Sequence, residues 1–170
     1  GRGKDPKALA DDGEISQMRG VLGKLNWATR EGMPQGAGDA SILSGTMPKP
    51  TVHDLSEANA ALRRLIQNDV PIIIQPIPLK DLRLLTFTDA SLANREGGSA
   101  QIGHLICATD KRIHQGEPAK TSVLTYSSHK NPRAAPSTLL NESTAFSDTL
   151  AHAEWVTTWF GLCKDLHYDM

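Results

Sequence analysis

Hydrophobic and polar positions follow a helical period in the first half of the chain and a strand period from Leu82 onward. From Glu14, Ile15, Met18, Leu22 and Leu25 recur every three or four residues, a spacing that predicts one apolar stripe on a helix. Gly20 and Gly23 weaken that helix, and "REGMPQGAGD" breaks it. A second helix is predicted over "HDLSEANAALRRLIQ", where Leu55, Ala58, Leu62 and Leu65 share a face and Thr51 and Asp54 have capping-box spacing. It ends before Pro71. Ile72 to Ile74 are β-branched, but Pro71, Pro76 and Pro78 restrict them to a short edge strand or an extended connector. Residues 1–13 are charged and patternless and read as a flexible lead-in.

Beyond Leu82, "LRLLTFTDAS", "SAQIGHLICAT" and "TSVLTYSS" are short β-prone runs separated by polar segments, which predicts three successive antiparallel strands. Ser137 to Leu166 is Pro-free and rich in Ala, Leu, Phe and Trp. Leu139, Phe146, Leu150, Ala153 and Phe160 fall on one side of a helix there, so the expectation is a core helix packed through that side. Three adjacent strands followed by a covering helix make an α+β arrangement rather than an alternating, doubly wound one. The expected organisation is a lead-in at 1–13, a helical connection at 14–78 and an α+β domain at 79–170. No repeat of solenoid period occurs.

At 170 residues the chain fits one domain, or a small domain with a helical arm. A formal charge of -1 and a pI of about 6.6 neither attract nor exclude a polyanion, so any nucleic-acid contact must come from a local patch. Cys107 and Cys163 stand far apart with no C-x-x-C, against a disulfide framework or a zinc knuckle, and point to a reducing, intracellular setting, cytoplasmic or nuclear. No stretch is long and apolar enough to span a bilayer, so no membrane partner is expected. The "GRGKD" start, without Met, reads as a fragment or a processed boundary.

Several chemistries lack their residues. "HAE" at His152 to Glu154 resembles half of a zinc deaminase signature, but no P-C-x-x-C follows. His53, His104, His114, His129 and His167 show no H-E-x-x-H or similar ligand spacing, and neither a Walker loop nor G-x-G-x-x-G occurs. "NES" at Asn141 is formally a glycosylation sequon but sits in the expected helix. Carboxylates are more informative. Asp89 ends a strand and shares its face with Leu85 and Phe87, while Glu142 lies early in the long helix. Taken alone, a strand-end Asp is ordinarily a turn former and an early-helix Glu complements the helix dipole. Asp148, six residues on, is turned well away from the face of Glu142. Between Lys111 and Arg133 the cations Lys111, Arg112, Lys120, Lys130 and Arg133 face Glu117 alone, a stretch that reads as either a solvated loop or a phosphate-holding one.

Three blocks in fixed order change the reading: "MRGVLGKLNWATREG…SILSG…KPTVHDLSEANAALRRL", "LLTFTDASLANREGGSAQIGHLICAT" and "LTYSSHKNPRAAPSTLLNESTAFSDTLAHAEWV". From about Glu14 to Trp159 the chain resembles the copia-type retrotransposon polyprotein, where the end of reverse transcriptase leads into its RNase H domain. D-A-S with A-N and G-G, Y-S-S-x-K and S-T-L-x-x-E-S carry the resemblance. It implies the opening of an RNase H-like fold, truncated at its C-terminus, with Asp89 and Glu142 as catalytic carboxylates and metal ligands. The implied chemistry is two-metal hydrolysis of the RNA strand of an RNA:DNA hybrid with Mg²⁺, Mn²⁺ being an alternative. The implied partners are that hybrid and the reverse transcriptase portion of the same polyprotein, with Ser127, Ser128, Lys130 and Arg133 as candidate contacts to the nucleic-acid backbone.

Departures accompany the likeness. The family's site has further aspartates on and beyond a strand that follows the long helix, whereas Asp165 and Asp169 follow this helix with no room for such a strand. Pro136 stands where Arg is usual, Leu140 and Asn141 replace small alanines before Glu142, and no Y-x-D-D occurs. The expectation is therefore weak or absent cleavage by this chain. The rival expectation is a non-catalytic nucleic-acid-binding or interaction module that keeps the scaffold.

Overall fold

The structure, a computed structural model, describes residues 5–91, 99–132 and 137–165. The chain divides into two compact units, Gly1–Ile72 with Ser128–Lys130, and Ile73–Ser127 with Asn131–Met170.

The first unit is built from helices α1 (Asp12–Glu31), α2 (Ala37–Ser44) and α3 (Val52–Gln67), with a 3-10 turn at Pro34–Gly36. Two reciprocal capping boxes start the long helices. Asp11 Oδ1 accepts from the Glu14 N–H at 2.9 Å while Glu14 Oε2 accepts from the Asp11 N–H at 2.8 Å, and Thr51 and Asp54 repeat the arrangement at α3. The segment before α1 is more regular than its composition implies from Asp5 onward. Leu9 bridges Thr51, the Ala10 N–H donates to the Pro50 carbonyl and the Val52 N–H to that of Ala8, both at 2.9 Å. Backbone pairing of this kind leaves no hydrophobic period to read, which is why a flexible lead-in was the expectation.

Met18, Leu22 and Leu25 of α1, Ala40 and Leu43 of α2, and Ala58, Ala61 and Leu65 of α3 form the core of this unit. The α1 stripe and the Ala58 and Leu65 positions of α3 are those that the spacing selects. The stretch expected only to break α1 also carries a helix, α2. Gly36 permits the close approach there, since a Cβ on it would lie 2.9 Å from both Leu65 Cδ1 and Thr29 Cγ2. α1 stops at Gly32, whose φ of 144° suits a residue without a Cβ.

The second unit is α+β. Strands β1 (Leu82–Ala90), β2 (Gln101–Asp110) and β3 (Thr121–Lys130) form a three-stranded antiparallel sheet in the order β1-β2-β3. Residues 69–78 carry neither helix nor strand, and the Gln75 N–H donates to Ser122 Oγ at 2.7 Å. The β1–β2 register runs from Leu82 opposite Asp110 to Ala90 opposite Ile102. Alternation then places Thr88 and Ala90 with Ile102 and His104 on one face, and Leu85, Phe87 and Asp89 on the other.

Helix α4 (Thr138–Asp165) packs on the first of these faces, against β1 and to a lesser extent β2, with Ala145 meeting Ala90 and Ile102. Its packing side differs from the expected one. The buried positions of α4 are Asn141, Ala145, Thr149 and Val156, whereas Leu139, Phe146 and Leu150 are exposed by 77, 60 and 48%. Apolar residues are spread around this helix, so their positions do not select a side. Close approach to the sheet does, because Ala145 fits against Ala90 where a Phe or Leu would hold the backbones apart. The side of Leu139, Phe146 and Leu150 stays open, while on a different side of α4 the rings of Trp155 and Trp159 meet edge to face at 5.9 Å, beside Leu124 and Thr125 of β3.

A buried polar pair anchors the start of α4. Asn131 Nδ2 donates to Asn141 Oδ1 at 2.9 Å, Asn141 Nδ2 donates to the Ser137 carbonyl at 3.2 Å, and the Asn131 N–H donates to the Ala100 carbonyl at 2.8 Å. Both side chains are 1% exposed. Among the described residues no helix is long and apolar enough to cross a membrane.

Candidate functional site

Asp89 is the penultimate residue of β1, solvent-exposed and opposite Gly103. Phe87 lies on the same face and is 53% exposed. Glu142 is half-buried at the fifth position of α4. Because α4 lies on the opposite face of β1, Asp89 is turned away from the face that the helix covers. The period of two along β1 causes this: Ala90 turns toward α4, and so its neighbour Asp89 turns away.

The candidate backbone contacts are spread between the two units. Ser127 is half-buried in the second unit, while Ser128, half-buried, and Lys130, exposed, group with the first. Arg133 lies outside the described residues. Earlier in the basic stretch, two cations are engaged by the protein's own carboxylates. Lys111 Nζ is 3.0 Å from Asp81 Oδ1, and Arg112 grips Asp110 through Nε at 2.9 Å and Nη2 at 2.6 Å. Asp110 also accepts from the backbone N–H groups of Arg112 at 3.0 Å and Lys120 at 3.3 Å. The Arg112 guanidinium, aided by those N–H groups, holds the Asp110 carboxyl well below the usual carboxylate range. Lys120 and Lys130 are the exposed cations of this stretch without an ion pair among the described residues.

A second cluster sits on the face that α4 covers. His104 of β2 is buried, and its Nδ1 lies 3.6 Å from Asp148 Oδ2 on α4. The His152 ring, one helical turn beyond Asp148, stands 4.5 Å from the His104 ring at 54°. One donor atom from each of His104, Asp148 and His152 falls within 4.8 Å of the others. The grouping is spatial, and His104 still has no metal-ligand spacing in the sequence. Asp148 and His152 are four residues apart, a spacing visible in the sequence. The third donor is not, because only the β1–β2 register and the packing side of α4 bring His104 to them.

On the other face of the sheet, Cys107 is buried, and burial pushes its thiol up. Comparisons with protein-family models, with curated proteins and with solved structures find no match.

Proposed function

We propose that the second unit is the opening of an RNase H-like domain from a copia-type retroelement polyprotein, which as this chain grips an RNA:DNA hybrid by its backbone and cuts it weakly or not at all. The reading is supported by one observation above others: an antiparallel three-strand meander whose first strand carries Asp89 at its penultimate position, followed by a long helix laid on it with Glu142 near its start. That is the order in which D-A-S, Y-S-S-x-K and S-T-L-x-x-E-S stand along the chain.

The Mg²⁺ pair that the resemblance implies does not fit these residues. Two-metal hydrolysis needs several carboxylates converging on ions roughly 4 Å apart, whereas the resemblance carries over only two, Asp89 and Glu142, and Asp89 is turned away from the face that α4 covers. The non-catalytic form of the function follows. In the second unit exposed Lys120 supplies charge for phosphates and Ser127 a hydroxyl; Lys130 and Ser128, which group with the first unit, are candidate contacts of their own. The partner this reading implies within the polyprotein is its reverse transcriptase portion.

A cleavage assay on a uniformly labelled RNA:DNA hybrid, in Mg²⁺ and separately in Mn²⁺, tests the proposal against Asp89→Asn. We expect the chain and the variant to release product at the same background rate. Robust cleavage by the chain that disappears in the variant would overturn the non-catalytic reading.

A further inference from the structure

We propose that His104, Asp148 and His152 form a binding site for one first-row transition-metal ion of the Zn²⁺ class. The inference is independent of the nucleic-acid reading, since it shares no residue with Asp89, Glu142 or the basic stretch.

Donor chemistry selects the ion. Two imidazoles and one carboxylate suit Zn²⁺, Co²⁺ or Ni²⁺, whereas Mg²⁺ demands near-octahedral oxygen donors and keeps several waters. Spacing agrees with that choice. His104 Nδ1 and Asp148 Oδ2 are 3.6 Å apart, too long for a hydrogen bond. It is close to the ~3.3 Å that separates two donors, each about 2.05 Å from a tetrahedral ion. All three donor atoms lie within 4.8 Å of one another, and binding an ion requires Asp148 and His152, the outer members, to close on it. Those two side chains are the half-buried and exposed members of the set, while His104 is held in the interior.

The surroundings orient the donors as metal sites require. His152 Nδ1 is 3.1 Å from the Asp148 carbonyl, so the tautomer that donates there presents the Nε2 lone pair to an ion. Thr88, the cross-strand neighbour of His104 on the same face, has a buried Oγ1 with no hydrogen-bond partner among the described residues. Three protein ligands leave a fourth tetrahedral position for water or a ligand oxygen. The site also ties β2 to α4, so an ion bound there clamps the helix to the sheet.

Calorimetric titration of the metal-stripped full chain with Zn²⁺, paired with the visible absorption of its Co²⁺ form, tests the site. The expected result is one saturable ion per chain, a four-coordinate Co²⁺ spectrum, and no displacement by millimolar Mg²⁺. His152→Ala and Asp148→Asn each weaken binding at least 10-fold, and His53→Ala, remote in sequence and exposed, leaves it unchanged. His104→Gln should behave likewise, and if its burial prevents folding, the two variants on α4 decide alone, with circular dichroism confirming that they fold. Non-saturable binding, or an affinity that His152→Ala and Asp148→Asn leave intact, would overturn the proposal.

Discussion

Asn141 shows how a single residue can be misjudged from its neighbours in sequence. In "NES" it looks like an acceptor for glycosylation, and beside Glu142 it looks like a poor replacement for a small alanine, yet its side chain is 1% exposed and accepts from Asn131. Asn141→Ala removes the acceptor of Asn131 Nδ2 in the interior and should cost about 1–3 kcal/mol, read from denaturant midpoints. A loss under a few tenths would mean that the pair does not anchor α4. Asp110 gives a second prediction, with a defined sign. Its folded carboxyl sits below the ordinary unfolded value of about 3.9. Its contribution is therefore fully present above that pH and is lost as the pH falls toward the folded value. Stability measured from pH 6 down to pH 2.5 should fall less steeply in Asp110→Asn than in the parent, and parallel curves would remove Asp110 from the account. At this scale the capping residues Thr51 and Asp54 were legible because a cap is a local event. The His104–Asp148–His152 grouping was not, because it joins residues 44 and 48 positions apart through a strand register and a helix face.

Among the elements, α1 and α3 were legible because each carries one period and one buried side, as Met18, Leu22 and Leu25 show, and the three strands because each is a short β-prone run bounded by polar segments. α4 existed in the sequence but its packing side did not. Leu139, Phe146, Leu150, Trp155 and Trp159 surround it with apolar surface, and the sheet accepts the narrow Asn141, Ala145, Thr149 and Val156 stripe instead. The two assignments separate cleanly by mutation. Ala145→Leu should destabilise by about 1–3 kcal/mol through overpacking against Ala90 and Ile102, whereas Phe146→Ala should change stability by no more than about 0.5 kcal/mol. The reverse order, measured by thermal or urea unfolding, would put the original side of α4 in the core. Gly36 makes the matching point in the helical unit: its Cβ-free backbone approaches Leu65 and Thr29, so Gly36→Ala should also cost about 1–3 kcal/mol.

For the whole molecule, the α+β character and the order of three strands then a helix were legible from the change of period at Leu82. The relation between Asp89 and Glu142 was not, because sequence spacing places both residues near the sheet without saying which face each one takes. The proposed function is accordingly hybrid binding rather than catalysis. Such a chain should hold a hybrid through its phosphates, with a dependence on salt that reports how many are neutralised. The most direct test is fluorescence anisotropy of a labelled RNA:DNA hybrid titrated with the full chain at several salt concentrations, beside a DNA duplex of the same sequence. The account predicts saturable binding that favours the hybrid, survives Asp89→Asn with Glu142→Gln, and loses about one unit of log–log salt slope in Lys130→Gln. Absence of saturable binding to the hybrid at low salt by a folded sample would contradict it.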